Sequence, residues 1–192
     1  MSDELLRLFQ EREALLEGHF LLSSGLHSAR YLQCARVLMD PVLATRLGAL
    51  LGERLRASLG GRAVTAVVSP ALGGVVIGQE VARALGVNAL FTEREAGRMT
   101  LRRGFRLAPA DVVVVVEDVV TTGGSTREVI DVVMQHGGAV AAAATLVDRT
   151  GAPGASLPVP LHSLMKVEVP TYAAADCPLC AQGGTAVKPG SR

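Results

Sequence analysis

Short apolar runs alternate with amphipathic helical patterns through the middle of the chain. The predicted strands are Val64–Ser69, Val87–Phe91, Val112–Val116 and Ala139–Val147, and the predicted helices between them are Gly74–Leu85 and Ser125–His136. Five consecutive valines in Val112–Val116 are typical of a strand buried on both faces of a parallel sheet. Strands and helices that alternate with short links predict an α/β fold, with right-handed crossovers between parallel strands.

Two further helices are predicted ahead of this region. Ser2 or Asp3 can cap the first, whose apolar positions are Leu5, Leu8, Phe9, Leu15 and Leu16. A turn-like segment follows over residues 18–28. Asp40-Pro41 then begins the second helix, which ends at Gly60-Gly61.

The chain after Gly151 is rich in proline and glycine, with one predicted strand at Leu164–Val169. We expect this tail to pair with the N-terminal segment and to form a small hood over the sheet. Residues 1–40 are then the N-terminal part of the hood, residues 41–155 the α/β core, and residues 156–192 the C-terminal part of the hood and the tail.

Two acids and a run of small residues follow the valine strand. Glu117 and Asp118 come at its carboxyl end, and Thr121-Thr122-Gly123-Gly124-Ser125-Thr126 opens the next helix. A glycine-rich turn of this kind presents backbone N–H groups and the positive end of the helix dipole, and the hydroxyls add donors, so it suits a phosphate. Because two carboxylates would repel a phosphate, the ligand is expected to carry hydroxyls or a divalent cation as well. A ribose phosphate has these properties.

Residues 112–126, VVVVVEDVVTTGGST, resemble the phosphoribosyl-pyrophosphate (PRPP) motif of the type I phosphoribosyltransferases. The resemblance implies the α/β fold of that family, a Rossmann-like parallel sheet flanked by helices with a small hood. It also implies Mg²⁺ as a cofactor that arrives bound to PRPP, with no protein ligand assigned to it. Glu117 and Asp118 would grip the ribose hydroxyls, and the TTGGST loop would hold the 5-phosphate. The residues assigned to PRPP are Glu117, Asp118, Val119, Val120, Thr121, Thr122, Gly123, Gly124, Ser125, Thr126, Ala71, Gly73, Arg94 and Arg98. The alternative is an ordinary buried strand followed by a capped helix.

Two other segments resemble the orotate enzymes of this family. Residues 20–31, FLLSSGLHSARY, are similar to their N-terminal signature, F-x-L-x-S-G-x-x-S followed by an aromatic. Residues 146–149, LVDR, match a second signature, in which Arg149 would meet the orotate carboxylate through a bidentate pair. The orotate contacts implied by the resemblance are Ser23, Ser24, Gly25, Tyr31, Thr122 and Arg149. The alternative for Asp148-Arg149 is a surface salt bridge.

The segment from Glu93 to Gly104 occupies the place of the family's mobile catalytic loop, which usually carries lysine and histidine. Here it carries arginines only, and arginine cannot donate a proton near neutral pH, so the loop is expected to act by electrostatics. The resemblance assigns catalysis to Asp118, Glu117, Arg98, Arg102 and Arg103. Lysines of many orotate enzymes are replaced here by Ser23 and Gly73. This arginine loop and a C-P-x-C tail ending in PGSR resemble a branch from thermophile-like bacteria.

Cys177-Pro178-Leu179-Cys180 has the C-x-x-C spacing of zinc sites. Zinc needs four ligands, and a site could be completed by Cys34 with a histidine, or by a second subunit. The candidate histidines are His19, His27, His136 and His162. The sequence favours the other interpretation, two reduced thiols at a turn of the tail.

Composition narrows the class of protein. A chain of 192 residues with 49% hydrophobic and 19% charged residues suggests one well-packed domain, and a net charge of +1 gives no reason to expect nucleic acid or a membrane as partner. The odd number of cysteines, three, disfavours a secreted disulfide scaffold. We expect a cytoplasmic enzyme that binds PRPP and orotate, and the resemblance implies a homodimer with shared active sites.

Two other functions remain open at this point. A purine or uracil phosphoribosyltransferase would keep the TTGGST loop but has no use for an arginine facing a carboxylate. A non-catalytic regulator could keep the PRPP pocket as a sensor, although the near-neutral charge and the lack of a basic nucleic-acid segment disfavour it.

Overall fold

The computed structural model describes residues 2–22, 25–151 and 156–189. Its helices are α1 (Ser2–Glu11), α2 (Ala35–Leu38), α3 (Pro41–Leu59), α4 (Gly73–Leu85), α5 (Gly124–Gln135) and α6 (Pro178–Ala181). Its strands are β1 (Leu15–Leu21), β2 (His27–Leu32), β3 (Ala66–Pro70), β4 (Asn88–Glu95), β5 (Arg98–Leu101), β6 (Val112–Val120), β7 (Ala139–Asp148), β8 (Leu161–Lys166) and β9 (Thr171–Tyr172). The chain forms two compact units, one of residues 38–166 and a smaller one of residues 1–37 and 167–192.

The larger unit contains a six-stranded sheet in the order β5-β4-β3-β6-β7-β8. All neighbouring strands in it are parallel except β4 and β5, which are antiparallel. The predicted α/β class with a parallel sheet flanked by helices is therefore confirmed.

Strand β6 lies inside this sheet, between β3 and β7. The side chains of Val113 to Val116 are completely buried, and those of Val113 and Val115 pack against α5 in one apolar cluster. Because successive side chains of a strand point to opposite faces, Val114 and Val116 face the other side. The valine run thus fills the core on both sides of the sheet, as its sequence predicts.

Helices α3 and α4 begin and end close to the predicted residues. Asp40 caps α3, with its Oδ1 accepting hydrogen bonds from the backbone N–H groups of Val42 (3.0 Å) and Leu43 (3.2 Å). Gly60 ends α3 and Gly86 ends α4 in the left-handed conformation that suits glycine. Within the described residues, no helix is long and apolar enough to cross a membrane.

The first predicted helix is too long. Helix α1 ends at Glu11, Glu13 adopts a φ of 52°, and Leu15 and Leu16 belong to strand β1. The expected turn-like segment over residues 18–28 consists largely of β1 and β2, which pair antiparallel. Leucines at helical spacing also fit a strand, and pairing with β2 decides the outcome here.

The prediction for the tail is correct in one part and wrong in another. Thr171–Tyr172 does pair with β2, completing a three-stranded sheet in the order β1-β2-β9. Strand β8, however, pairs in parallel with β7 and extends the large sheet, so residues 161–166 are part of the core and not of the hood. Strand β8 covers an edge of β7 that would otherwise be open to solvent, and its Leu164 and Met165 are buried.

The expected loop at Glu93–Gly104 is mostly a β-hairpin. Strands β4 and β5 pair across Ala96 and Gly97, which both have positive φ (49° and 81°), as a type I′ turn requires. Met99 on β5 is 9% exposed and joins the apolar cluster beside α5, so this segment packs through one apolar side chain despite its many charges.

Candidate active site

Most of the predicted site residues of the larger unit meet at one edge of its sheet. The ends of β3, β6 and β7 are adjacent there, since parallel strands have their carboxyl ends at the same edge. The segments that follow these strands are Ala71–Gly74, Thr121–Thr126 and Arg149–Thr150. Strand β6 continues to Val120, so Glu117 and Asp118 lie within the strand, near its carboxyl end, and not beyond it.

Glu117 points toward α5, where the hydroxyl of Thr126 donates to its Oε2 at 2.9 Å. Burial raises the pKa of Glu117 to about 7, the Thr126 hydrogen bond opposes this rise, and the neighbouring Asp118 adds to it. Near neutral pH this carboxyl group therefore exists in both protonated and ionised forms.

The side chain of Asp118 lies on the opposite face of β6, beside the start of α4. A Cβ atom on Gly73 would lie 2.7 Å from its Oδ1, so only glycine at this position leaves room for the carboxylate. Burial also raises the pKa of Asp118, while the backbone N–H of Val119 donates to its Oδ1 at 2.9 Å. The hydroxyl of Thr145 on β7 holds the backbone carbonyl of Asp118 at 2.9 Å.

The start of α5 has the form of an anion site. Gly123 has a φ of 78°, and the N–H of Gly124 donates a long hydrogen bond to the Oγ1 of Thr122 (3.4 Å). Thr121, Thr122 and Gly124 are exposed, whereas Thr126 is buried with its hydroxyl bonded to Glu117. The Thr126 hydroxyl is thus bonded to Glu117 in this structure, and its part in binding phosphate stays a prediction.

The turn between β3 and α4 is closely packed on the sheet. A Cβ on Gly74 would lie 2.9 Å from the carbonyl oxygen of Val116, and a Cβ on Gly78 would lie 2.0 Å from the Oγ of Ser69. The Ser69 hydroxyl is buried, with no hydrogen-bond partner among the described residues. Ala71 donates its N–H to Thr92 at 2.8 Å, and Leu72 is 88% exposed. These contacts fix the backbone of Ala71 and Gly73 beside Asp118.

Three arginines of the β4–β5 hairpin are held by carboxylates. Arg103 makes two hydrogen bonds of 2.8 Å to Glu93, and Arg94 and Arg102 pair with Glu128 (2.9 Å) and Glu95 (3.5 Å). Arg98 is exposed, and no carboxylate of the described chain lies within ion-pair distance of it. The hairpin arginines thus differ in a way that their sequence does not show.

Arg149 follows β7 directly, and its backbone N–H donates to the carbonyl of Val120 at the end of β6 (2.8 Å). Its side chain is half-buried. The Asp148 carboxylate accepts from the N–H (2.7 Å) and the hydroxyl (2.5 Å) of Thr150, so it shapes the turn that carries Arg149.

The predicted residues of the smaller unit are described separately. Ser23 and Ser24 lie outside the described residues. Gly25 has a φ of 81°, and its N–H donates to the carbonyl of Leu22 at 2.9 Å. Tyr31 on β2 has its ring centroid 5.8 Å from that of Phe20. Cys177 precedes α6 and is buried, and Cys180 lies within that helix.

Thr145 contacts Asp118 in this site and was not predicted. Thr145 is the one polar residue inside the alanine-rich run of β7, and a buried hydroxyl in an otherwise apolar strand is the signal that could have found it.

Comparison with known proteins decides the family. The chain is 54% identical to the orotate phosphoribosyltransferase of Carboxydothermus hydrogenoformans over 189 residues, which cover 98% of this chain and 97% of that protein. It is also 54% identical to the enzyme of the same name from Acidithiobacillus ferrooxidans, over 100% of this chain and 97% of that one. The chain belongs to the orotate phosphoribosyltransferase family.

Solved structures agree with this family. The crystal structure of orotate phosphoribosyltransferase from Aeropyrum pernix has a TM-score of 0.70 to this chain at 30% identity, covering 85% of this chain and 93% of that one. An adenine phosphoribosyltransferase from Trypanosoma brucei, at 18% identity and a TM-score of 0.62, shares the fold. No family model matches the chain.

The raised pKa of Glu117 predicts how stability depends on pH. The folded protein holds this proton up to about pH 7, whereas the unfolded chain loses it near the ordinary value of 4.5. The free energy of unfolding is therefore expected to fall as pH rises from about 4.5 to about 7, by roughly 2–3 kcal/mol from Glu117. Glu117→Gln keeps an oxygen for Thr126 and should make this decline shallower in urea unfolding measured between pH 5 and 8.

A matched control is Glu53→Gln, which removes an exposed carboxylate from α3. It should keep the wild-type dependence on pH. Equal slopes in Glu117→Gln and the wild type would contradict the assignment of a raised pKa to Glu117.

Proposed function

We propose that this chain transfers the phosphoribosyl group of PRPP to orotate, giving orotidine 5′-phosphate and pyrophosphate for the synthesis of UMP. One observation carries the proposal: two buried carboxyl groups with raised pKa stand beside a glycine-rich helix start at which Thr121 and Thr122 are exposed. Such a pair of sites fits a ligand that has both hydroxyls and a phosphate.

The role of each group follows from its surroundings. The N–H groups at the start of α5 and the exposed hydroxyls of Thr121 and Thr122 would hold the 5-phosphate. Glu117 and Asp118 would accept hydrogen bonds from the ribose hydroxyls. As the bond from C1 to pyrophosphate breaks and the bond to N1 of orotate forms, the ribose ring gains positive charge, which ionised carboxylates stabilise.

The site also fits a divalent cation that arrives with PRPP. Carboxylate oxygens are ligands that Mg²⁺ prefers, and two acids whose pKa is raised by burial gain most from a nearby positive charge. Bound Mg²⁺ would neutralise part of the charge on the pyrophosphate. Glu117 and Asp118 are the residues that would face it.

Arg149 is the residue that we assign to the base. Its backbone lies next to the end of β6, the strand that carries the two acids. A planar guanidinium pairs with a carboxylate through two parallel hydrogen bonds. Orotate carries a carboxylate, whereas uracil and the purines do not. The family resemblance also assigns orotate contacts to Ser23, Ser24, Gly25, Tyr31 and Thr122, and these stay predictions.

Arg98 is the arginine that we assign to the leaving pyrophosphate. Arg94, Arg102 and Arg103 are engaged with carboxylates, although exposed ion pairs of this kind are weak and can exchange for a stronger anion. Arg98 needs no such exchange. We further infer a cytoplasmic homodimer, in which this hairpin serves the partner's site, since the family resemblance implies shared sites.

The first test compares bases. With PRPP and Mg²⁺, pyrophosphate release should be fastest with orotate, and uracil, adenine and hypoxanthine should give little. Asp118→Asn should reduce kcat about 100-fold or more while circular dichroism stays unchanged, because it removes a charge that stabilises the transition state. Faster release with another base would reject the substrate assignment. PRPP binding without turnover of any base would favour a sensor.

The second test concerns Arg149. Arg149→Ala should raise the KM for orotate about ten- to a hundredfold and leave the KM for PRPP nearly unchanged, because it removes a charge-assisted bidentate pair. Arg83→Ala is the control, since Arg83 is an exposed arginine paired with Glu80 on α4. Equal weakening of both substrates in Arg149→Ala would show that Arg149 is structural.

The third test separates the hairpin arginines. Arg98→Ala should lower kcat/KM for PRPP about ten- to a hundredfold, Arg98→Lys should restore part of it, and Arg103→Ala should lose less. Mixed dimers of Asp118→Asn and Arg98→Ala subunits should regain activity if the hairpin serves the partner's site, because one site is then intact. A greater loss in Arg103→Ala than in Arg98→Ala would reject the assignment of Arg98.

A further inference from the structure

Four metal-ligating side chains of the smaller unit converge on one point. They are His19 on β1, His27 on β2, and Cys177 and Cys180 at the C-x-x-C turn, and their ligand atoms all lie within 4.8 Å of one another. Cys177 is 158 residues from His19 along the chain. Such a group does not arise from local sequence, so the fold itself brings these four residues together.

The spacing of the four atoms is that of ligands around a single ion. The Nε2 of His19 lies 3.5 Å from the Sγ of Cys177 and 3.7 Å from that of Cys180, and the Nδ1 of His27 lies 3.3 Å from the Sγ of Cys180. Tetrahedral zinc with its usual bond lengths sets a nitrogen and a sulfur about 3.5 Å apart. The two nitrogens are closer, at 2.9 Å.

Hydrogen bonds alone do not account for this arrangement. The Nε2 of His19 lies close to three polar atoms, which are the Nδ1 of His27 and the Sγ atoms of Cys177 and Cys180. It can carry only one proton, so it cannot donate to all three. Its other nitrogen, Nδ1, is buried and has no hydrogen-bond partner among the residues that the structure describes. The polar interactions of this ring are therefore directed at the cluster, as those of a ligand would be.

The backbone presents all four side chains to the same place. Leu21 pairs with His27 across the hairpin, and His19 lies at the irregularity of β1 between Glu17 and Phe20, where its ring meets that of His27. Cys177 and Cys180 are three residues apart in a helical turn, which puts both sulfurs on one side. The tail is held against β1 by reciprocal hydrogen bonds of Val187 to His19 (2.8 Å) and Leu21 (2.9 Å).

We propose that His19, His27, Cys177 and Cys180 bind one Zn²⁺ ion in a closed structural site. Two thiolates with two imidazoles are a ligand set that zinc prefers, and four protein ligands leave no position for substrate. A single chain supplies all four, so neither Cys34 nor a second subunit is needed. The smaller unit has only about 60 residues and a three-stranded sheet, and units of this size commonly need a metal or disulfides for stability.

The test measures metal in the full-length protein. Protein produced in zinc-supplemented medium and gel-filtered should contain about one zinc per chain by elemental analysis. Cys177→Ser, Cys180→Ser and His27→Ala should each lose most of it. His136→Ala and Cys34→Ala are the matched controls, because they remove other candidate ligands that lie outside the cluster, and they should keep the zinc.

A second measurement needs no variant. After removal of metal by a chelator, addition of Co²⁺ to the wild-type protein should give the strong visible absorption bands of tetrahedral cobalt with thiolate ligands, and Zn²⁺ should abolish them. Chelation should also lower the Tm by roughly 5–10 °C. Zinc far below one per chain together with no tetrahedral cobalt spectrum would overturn the proposal. So would stoichiometric zinc that persists in Cys177→Ser and Cys180→Ser.

Discussion

The rest of the structure depends on the burial of β6 on both faces. Each valine side chain removed from water contributes about 1.5–3 kcal/mol relative to an exposed one, so this strand is held firmly between its neighbours and between the helices that cover them. Firm placement of the valines also fixes Glu117 and Asp118, which continue the same strand. Burial there raises the pKa of both carboxyl groups, because an apolar environment disfavours the ionised form.

The alternation of side chains along β6 explains how two adjacent acids have different surroundings. Glu117 shares its face with α5 and takes a hydrogen bond from Thr126, while Asp118 is on the face of α4, beside Gly73. Each acid is thereby linked to a different turn of the site. Two neighbouring residues of one strand consequently contact both segments, the start of α5 and the turn before α4.

Much of the larger unit could be predicted from sequence, because its signals are local. The valine run, the Asp40 cap and the glycines that end α3 and α4 each act within a few residues of their own position. The failures have a common physical cause, since they depend on partners outside the short segment that carries the pattern. Leu15 and Leu16 become a strand through pairing with β2, Leu161–Lys166 through pairing with β7, and the arginines of the hairpin differ only through the carboxylates that they meet. The convergence of His19 and His27 with the tail cysteines is of the same kind.

The smaller unit is built from two segments that lie on either side of the larger unit in the sequence. This arrangement imposes an order on folding during biosynthesis. Strands β1 and β2 are synthesised before residues 38–166, whereas their third strand, Thr171–Tyr172, is synthesised after them. Residues 38–166 carry a sheet of their own and can fold while synthesis continues. Strands β1 and β2 therefore complete their sheet only after the larger unit has been synthesised, and a nascent chain halted before residue 171 keeps that sheet incomplete.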